Sequence, residues 1–220
     1  MFADLRSNPK RQPILGFSTA ETKIILTEFK YSRGTEIYGE AEPADYVYQV
    51  IDGAVRSYKL LSDGRRQIGA FHLVGDIFGL ENGDVHRFTA EAIVDTAVRL
   101  VKRISLEHVA EEDLIVARSL LSMTTTNLQH AEDHMLLLGR KTSLERVAAF
   151  LIEMDRRLTA AGVIALPMCR RDIADYLGLT LETVSRALSY LNDKKILGFI
   201  GQNQRQIVLL DRGQLAELDL

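Results

Sequence analysis

The sequence is poor in the residues that build thiolate metal centres and membrane spans. It contains one cysteine, Cys169, among 220 residues, so an iron–sulfur cluster held by four thiolates is excluded. No apolar run approaches the length of a membrane-spanning helix, and residues 1–14 contain no signal-peptide core. We therefore expect a cytoplasmic protein, with no membrane association, whose first fourteen residues form a mobile tail.

Residues 169–191 have the pattern of a helix-turn-helix. The segment 171–177 repeats apolar residues at helical spacing and ends at Gly178, where glycine permits the positive φ that terminates a helix. Thr180 is an N-cap candidate for the next helix. An apolar stripe then follows, at Leu181, Val184, Leu188 and Leu191. Two helices joined by about three residues that include glycine are typical of this DNA-binding motif.

One edge of the second helix carries side chains suited to reading base pairs. Because Val184 is expected to face the core, Glu182, Ser185 and Arg186 point the other way. In the major groove an Arg donates two hydrogen bonds to guanine, and a Glu accepts one from cytosine. The alternative is an i,i+4 salt bridge on a solvated helix. The predicted base-reading residues are Leu181, Glu182, Ser185 and Arg186.

After this helix the sequence predicts a β-hairpin, or wing, with strands near 196–200 and 207–210 around a turn-rich segment. A wing and the basic residues that flank it position the reading helix through phosphate contacts, which carry no sequence information. The predicted phosphate contacts are Arg170, Arg171, Thr180, Thr183, Lys194, Lys195 and Arg205.

The formal net charge of −3 lacks the basic excess that DNA binding favours, but the charge is unevenly divided. Residues 140–220 carry 12 Lys and Arg against 10 Asp and Glu, whereas residues 1–139 carry 15 against 20. A local excess is enough for phosphate contacts, although it predicts modest non-specific affinity.

With these motifs the chain resembles the superfamily of the cyclic-AMP receptor protein and the fumarate-nitrate-reduction regulator. Glu182, Ser185 and Arg186 form an E-x-x-S-R pattern similar to its Fnr/FixK branch, whereas the receptor branch has an Arg where this chain has Leu181. The resemblance implies a palindromic target of the TTGAT-N4-ATCAA type and an α+β fold. Its implied parts are an antiparallel β-roll (a jelly-roll like cyclic-nucleotide-binding domains) at 15–104, a dimerisation helix at 105–140, and a winged helix-turn-helix at 141–220.

The first part of the chain supports the β-roll. Asp52-Gly53 and Asp63-Gly64 separate runs rich in Val, Ile and Tyr, and Asp-Gly between such runs predicts a β-hairpin. We therefore expect a hairpin at each pair, within a small antiparallel roll.

The segment 105–140 has the heptad spacing of a coiled-coil seam. Its predicted interface positions are Leu114, Ala117, Leu121, Thr124, Leu128, Ala131, Met135 and Leu138. Alanine at two of them lets helices approach closely, so we predict a parallel homodimer, with a monomer's core helix as the alternative. A two-fold axis would place two recognition helices about 34 Å apart, in successive major grooves.

The chain departs from the family where cyclic nucleotides bind. The resemblance implies a Gly-Glu pair and an Arg-Ser pair around ribose and phosphate, whereas this chain has Gly79-Leu80 and Arg87-Phe88. Leucine cannot accept a hydrogen bond and phenylalanine cannot donate one, so we expect no cyclic AMP binding. The alternative left open is an unidentified small ligand or metal in the β-roll.

We expect no cofactor, no metal and no catalytic residues. His130 and His134 lie one turn apart on the predicted long helix, but no third ligand is evident, and we interpret them as solvated side chains. His72 is interpreted as structural. The predicted function is therefore that of a regulator and not of an enzyme.

Cys169 is a candidate redox switch. It lies at the N-terminal edge of the first motif helix, before Arg170 and Arg171, where the helix terminus and the cations favour a thiolate. Oxidation would add bulk or negative charge near the DNA backbone and weaken binding. The alternative is an inert cysteine.

The resemblance also suggests a contact with RNA polymerase. In the family, a surface loop such as the turn expected at 159–163 can touch the polymerase, and we expect the protein to be an activator. An acidic loop around Glu81 and Asp84 is a second possible contact surface.

Overall fold

The computed structural model describes residues 27–219, so the expected tail at 1–14 lies outside the described part. The first eight strands are β1 (Thr27–Tyr31), β2 (Glu36–Tyr38), β3 (Tyr46–Asp52), β4 (Val55–Leu60), β5 (Arg66–His72), β6 (Ile77–Phe78), β7 (Thr89–Ala92) and β8 (Thr96–Lys102). They form two antiparallel sheets in the orders β1-β8-β3-β6 and β2-β7-β4-β5. Apolar side chains of both sheets share one core, and this jelly-roll arrangement confirms the predicted β-roll.

Only one of the two expected Asp-Gly hairpins is present. Asp63-Gly64 joins β4 to β5, which pair with each other, but β3 and β4 lie in different sheets. Gly53 (φ +84°) marks the crossing, where an added Cβ would lie 2.5 Å from the Asp95 carbonyl oxygen. The expectation of a hairpin there was wrong because strand pairing is decided by packing between the sheets and not by the turn alone.

The long helix is confirmed, but it begins later than expected. A separate helix α1 (Arg103–Glu112) precedes α2 (Leu114–Arg140), so the single element predicted at 105–140 is two. Asp113 leaves helical geometry (φ −120°, ψ 109°), and its carboxylate accepts a hydrogen bond from the Ile115 amide at 2.8 Å. The helix is therefore interrupted at Asp113, the residue that caps α2.

The C-terminal part is a winged helix-turn-helix. Its elements are α3 (Ser143–Leu158), β9 (Thr159–Ala160), β10 (Val163–Ala165), α4 (Arg170–Leu177), α5 (Leu181–Asp193), β11 (Leu197–Ile200), β12 (Gln206–Leu209) and α6 (Arg212–Glu217). The wing belongs to a four-stranded sheet in the order β11-β12-β10-β9. The segment expected as a plain turn is a tight β9–β10 hairpin, with positive φ at Ala161 and Gly162.

The β-roll and the helix-turn-helix share one apolar core. Ile68 and Phe71 of β5 belong to the same buried cluster as Phe150 of α3 and Ile173 and Leu177 of α4. The two parts of the chain therefore meet over a packed interface. None of the helices between residues 27 and 219 is long and apolar enough to span a bilayer.

Candidate DNA interface

A short capped turn fixes the two motif helices relative to each other. Gly178 takes a left-handed conformation (φ +62°), and its amide donates to the Ala174 carbonyl at the end of α4. The Thr180 hydroxyl then accepts from the Thr183 amide at 3.2 Å and caps α5. The glycine is needed at the left-handed position, so the direction of α4 determines the direction of α5.

The recognition helix α5 has one buried and one exposed face. Val184, Leu188 and Leu191 are buried. The predicted base-reading residues Leu181, Glu182, Ser185 and Arg186 lie at the surface, with Glu182 and Arg186 exposed and the other two partly buried. We call these four residues the reading edge.

The two charges of the reading edge remain available. No ion pair joins Glu182 to Arg186 in the described part of the chain, so the salt bridge considered as the alternative is absent. Hydrogen bonds from its own amide and the Thr180 hydroxyl, together with the nearby Arg171 and Arg186, lower the pKa of Glu182. The carboxylate is therefore an acceptor and the guanidinium an unpaired donor.

The residues predicted to contact phosphates differ in their exposure and in their hydrogen-bond partners. Arg171 is exposed at the start of α4, while Arg170 donates to Gln204 and lies 5.6 Å from the Phe199 ring centroid on the wing. The Thr180 and Thr183 hydroxyl oxygens are 3.0 Å apart. Arg170 therefore ties the wing to α4.

The two lysines and Arg205 also differ from each other in where their side chains lie. Lys194 and Lys195 are exposed at the end of α5, and Lys195 is left-handed (φ +58°) with its amide donating to the Asn192 carbonyl. Arg205, in contrast, lines a cavity of about 250 Å³ between the wing and the β-roll. The structure thus brings the lysines to the α5 surface and sets Arg205 apart from them.

Cys169 faces the same cavity. Its thiol donates to the Asp172 carboxylate, with Sγ and Oδ2 3.1 Å apart, and its amide donates to the same oxygen. The Asp172 carboxylate therefore lies against the sulfur, a neighbour that the expected effect of the helix terminus and the arginines did not include. Because Asp172 is the third residue of α4, its carboxylate reaches back to Cys169, the N-cap residue of the helix.

Comparison with known proteins identifies both halves of this architecture. Residues 28–113 match the cyclic nucleotide-binding domain, and residues 145–218 match the Crp-like helix-turn-helix domain. The nitrogen fixation regulation protein FixK of Azorhizobium caulinodans is 44% identical over 194 residues, which cover 86% of this chain and 77% of the relative. The chain belongs to the Crp/Fnr family of transcription regulators.

Other members of the Crp/Fnr family agree with this assignment. The transcriptional activatory protein AadR of Rhodopseudomonas palustris is 40% identical over 84% of this chain and 79% of its own length. The solved structure of FixK2 from Bradyrhizobium japonicum is 69% identical, with a TM-score of 0.86 over 89% of this chain and 98% of that one. Regulators of this family bind DNA as dimers through the helix-turn-helix, and they are not enzymes.

In residues 79–88, the segment for which the resemblance implies contacts to ribose and phosphate, side chains bind to one another and to their own backbone. The Glu81 carboxylate accepts from the Arg87 amide at 3.2 Å and from Arg87 Nε at 2.9 Å. The Tyr48 ring packs over Gly79, and His86 stacks on Tyr38 with ring centroids 3.5 Å apart. We call residues 79–88 the closed segment.

His72 and His134 pack against neighbouring groups, whereas His130 is exposed, as expected. His134 is not a solvated side chain as expected: it stacks on Tyr176 at 4.1 Å and contacts its carbonyl oxygen at 2.9 Å. Burial lowers the pKa of His72 to about 3, and the ring lies 2.8 Å from the Ser57 hydroxyl. Within residues 27–219, no three His, Cys, Asp or Glu side chains are placed to hold a metal ion.

Sequence reasoning missed the residues that hold the motif against its surroundings. Arg146 donates to the carbonyls of Leu138 and Leu177 at 2.9 Å each and so joins the ends of α2 and α4. Asp172 is buried and binds arginines of the β-roll. An aspartate at the third position of a helix is a common capping residue, so the pattern alone gave no sign of its distant partners.

Proposed function

We propose that the protein is a transcription activator that binds a TTGAT-N4-ATCAA-like palindrome as a homodimer, without cyclic AMP or an iron–sulfur cluster. The observation that carries this proposal is the reading edge, where Glu182 and Arg186 are exposed and unpaired on the recognition helix. An unpaired Arg and Glu one turn apart suit the single G·C pair in each half of such a palindrome. The reading edge would contact bases, and phosphate contacts would come from Arg170, Arg171, Thr180, Thr183, Lys194, Lys195 and Arg205.

The surface of α2 supports the homodimer. The four leading heptad positions are large apolar side chains that the single chain leaves 57–68% exposed: Leu114, Leu121, Leu128 and Met135. Ala117, Thr124, Ala131 and Leu138 would complete the seam on the same side of the helix. A continuous apolar stripe of this kind is stable in water when a second copy covers it.

The closed segment supports effector independence. A ribose would need the position of Leu80, which packs against the buried cluster of Val47, Val101 and Leu106. A phosphate would need Arg87, whose guanidinium is paired with Glu81. Ligand binding would have to break these contacts without a replacement donor or acceptor.

An activating role is supported by the relatives, among which AadR is named a transcriptional activatory protein. Contact with RNA polymerase would use exposed turns away from the reading edge. The two surfaces that we assign to it are the exposed β9–β10 hairpin at Thr159–Val163 and the loop around Glu81 and Asp84, where Asp84 is exposed and Glu81 is buried against Arg87. Because its target is chromosomal DNA in this proposal, the protein would act in the cytoplasm.

Cys169 would adjust DNA binding through oxidation. It is partly buried at the first turn of α4, beside the exposed Arg171. A sulfenic or sulfinic acid there would add bulk or negative charge near the DNA backbone.

One feature favours the second candidate function, a regulator gated by a small ligand. The cavity of about 250 Å³ between the β-roll and the wing is lined by Arg33, Arg56 and Arg205 and also by Glu91 and Asp172. Because both carboxylates are paired with Arg56, an anion would bind to Arg33 and Arg205. Such a ligand would bind outside the closed segment.

A titration at fixed salt tests the proposal. The purified, reduced, ligand-free protein is added to a TTGAT-N4-ATCAA duplex and to a scrambled duplex, with and without cyclic AMP. We expect tight binding to the palindrome alone and no change with cyclic AMP. Equal weak binding to both duplexes would contradict the proposed target, and tightening by cyclic AMP would contradict effector independence.

A further inference from the structure

Asp172 of α4 is held by two arginines from the β-roll. Its Oδ1 accepts from Arg56 Nη1 at 2.6 Å and from Arg66 Nη2 at 2.7 Å. The Asp172 side chain is 4% exposed, and Arg56 and Arg66 are 14% and 20% exposed. Burial acts to raise the pKa of Asp172, but hydrogen bonds from Cys169 and the two arginines outweigh it and lower the pKa. The carboxylate is therefore a charged bridge between two strands and one helix.

The same contact is extended along α4. Arg66 Nε donates to Asp175 Oδ2 at 2.9 Å, one turn after Asp172. On the other side, Arg56 Nη2 donates to Glu91 of β7 at 2.6 Å. We call Arg56, Arg66, Asp172 and Asp175 the α4 latch. Because two points one turn apart are held, the latch fixes the rotation of α4 as well as its distance from β5.

Tyr176 adds an apolar contact beside the latch. Its ring lies 5.0 Å from the Phe71 ring of β5 and 4.1 Å from the His134 ring of α2. Its carbonyl oxygen also accepts from Gln67 Nε2 at 3.3 Å. One residue of α4 therefore touches both the β-roll and the long helix.

From these contacts we infer that Arg56, Arg66, Asp172 and Asp175 are positioning residues for DNA binding. The turn from Gly178 to Thr180 makes α5 follow α4, so the latch orients the reading edge relative to the β-roll and α2. In a dimer joined along α2, this sets the separation and angle of the two reading edges. The contacts that orient α4 are thus made by side chains of the β-roll.

The inference deepens the proposed function and rests on it, so the test separates the two. Affinities are measured for duplexes with N4 and N5 spacers, since one extra base pair rotates and shifts the second half-site by about a tenth of a turn. The wild type is compared with Arg66→Gln, which keeps the strand and removes the charge. The control is Arg65→Gln, because Arg65 is 77% exposed and pairs with Asp63 inside the β-roll.

We expect the wild type and Arg65→Gln to prefer the N4 duplex by about tenfold or more. Arg66→Gln should lose about tenfold on N4 and bind N4 and N5 within about threefold of each other. Arg157 of α3, which binds Asp76 and the Phe71 carbonyl, keeps the two parts of the chain joined in this variant. Circular dichroism at the assay temperature verifies that it is folded.

A second pair of variants distinguishes an effect on the orientation of α4 from a mere loss of stability. Arg66→Glu should abolish the N4 preference, and adding Asp175→Arg should restore at least part of it by reversing the pair. An Arg66→Gln protein that melts at a lower temperature but keeps its N4 affinity and spacer preference would overturn the inference and leave the proposed function intact. A wild type that binds neither spacer would overturn both, because the latch would then be closed without producing DNA binding.

Discussion

The reading edge and the closed segment each present one Glu and one Arg, in opposite states. In the closed segment the Glu81 side chain is 8% exposed and lies 2.9 Å from the Arg87 guanidinium. On the reading edge Glu182 and Arg186 are exposed, and no ion pair joins them in the described part of the chain. The same residue types therefore complete a loop in one place and remain free for a ligand in the other.

Local hydrogen bonds explain the difference. The 79–88 loop folds back so that Glu81 accepts from the backbone as well as the side chain of Arg87. Glu182 instead lies in the first turn of α5, where its own amide and the Thr180 hydroxyl lower the pKa of the carboxylate and no ion pair joins it to Arg186 in the described part of the chain. A Glu and an Arg close in sequence therefore do not by themselves indicate a binding site. Whether the two side chains pair with each other has to be known as well.

The largest effect should come from separating the two reading edges of a dimer. Leu121→Glu puts a charge on an α2 side chain that is 68% exposed in the single chain and would be buried in the seam. We expect monomers in analytical ultracentrifugation and a loss of about a hundredfold in affinity for the palindrome, because a second reading edge adds binding at high effective concentration.

Leu60→Glu is the matched control for this change. Leu60 is 65% exposed at the end of β4, beside the turn to β5, and is not one of the seam positions on α2, so its variant should remain dimeric with unchanged affinity. A Leu121→Glu protein that stays dimeric would show that α2 does not carry the interface.

The next effect compares the two arginines directly. Arg186→Ala should weaken binding to the palindrome by about 1–3 kcal/mol and leave scrambled DNA nearly unaffected, because a base contact is lost. Arg87→Ala, which removes the paired arginine of the closed segment, should change neither affinity. Fluorescence anisotropy at fixed salt measures both, and an equal fall on both duplexes for Arg186→Ala would contradict a base-reading role.

The smallest effect should come from the Cys169 thiol at the start of α4, which is already hydrogen-bonded to Asp172. Peroxide should weaken palindrome binding of the wild type by about threefold to tenfold, since it places negative charge at Cys169. Cys169→Ala should keep its affinity over the same titration. Equal losses in the two proteins would mean that oxidation acts elsewhere.

The sequence predicted the elements whose signals are local. Gly178 and Thr180 marked the turn of the motif because a left-handed residue and a cap depend on neighbours a few positions away. The reading edge followed from the helical period once Val184 was placed in the core. The break at Asp113 was missed because the predicted helix was extended back to residue 105, although the heptad positions begin only at Leu114 and a capping aspartate precedes them.

The contacts between distant segments could not be predicted in the same way. Asp52-Gly53 has the local chemistry of a hairpin, yet its two strands separate into different sheets. Asp172 is a routine capping residue in the sequence, and its partner Arg66 lies 106 positions earlier. No periodicity links residues so far apart, so the latch and the shared core became visible only in the folded chain.

The core shared by β5 and α4 also gives the order of synthesis a role in folding. The β-roll leaves the ribosome first, and N-terminal units generally fold before later ones are complete. On this order, Phe71 and the arginines of β4 and β5, which contact α4 in the complete fold, would be in place before α4 is synthesised. The helix-turn-helix would thus fold against a surface that the earlier part of its own chain provides. A chimera that joins it to another β-roll would need the same docking residues on that β-roll.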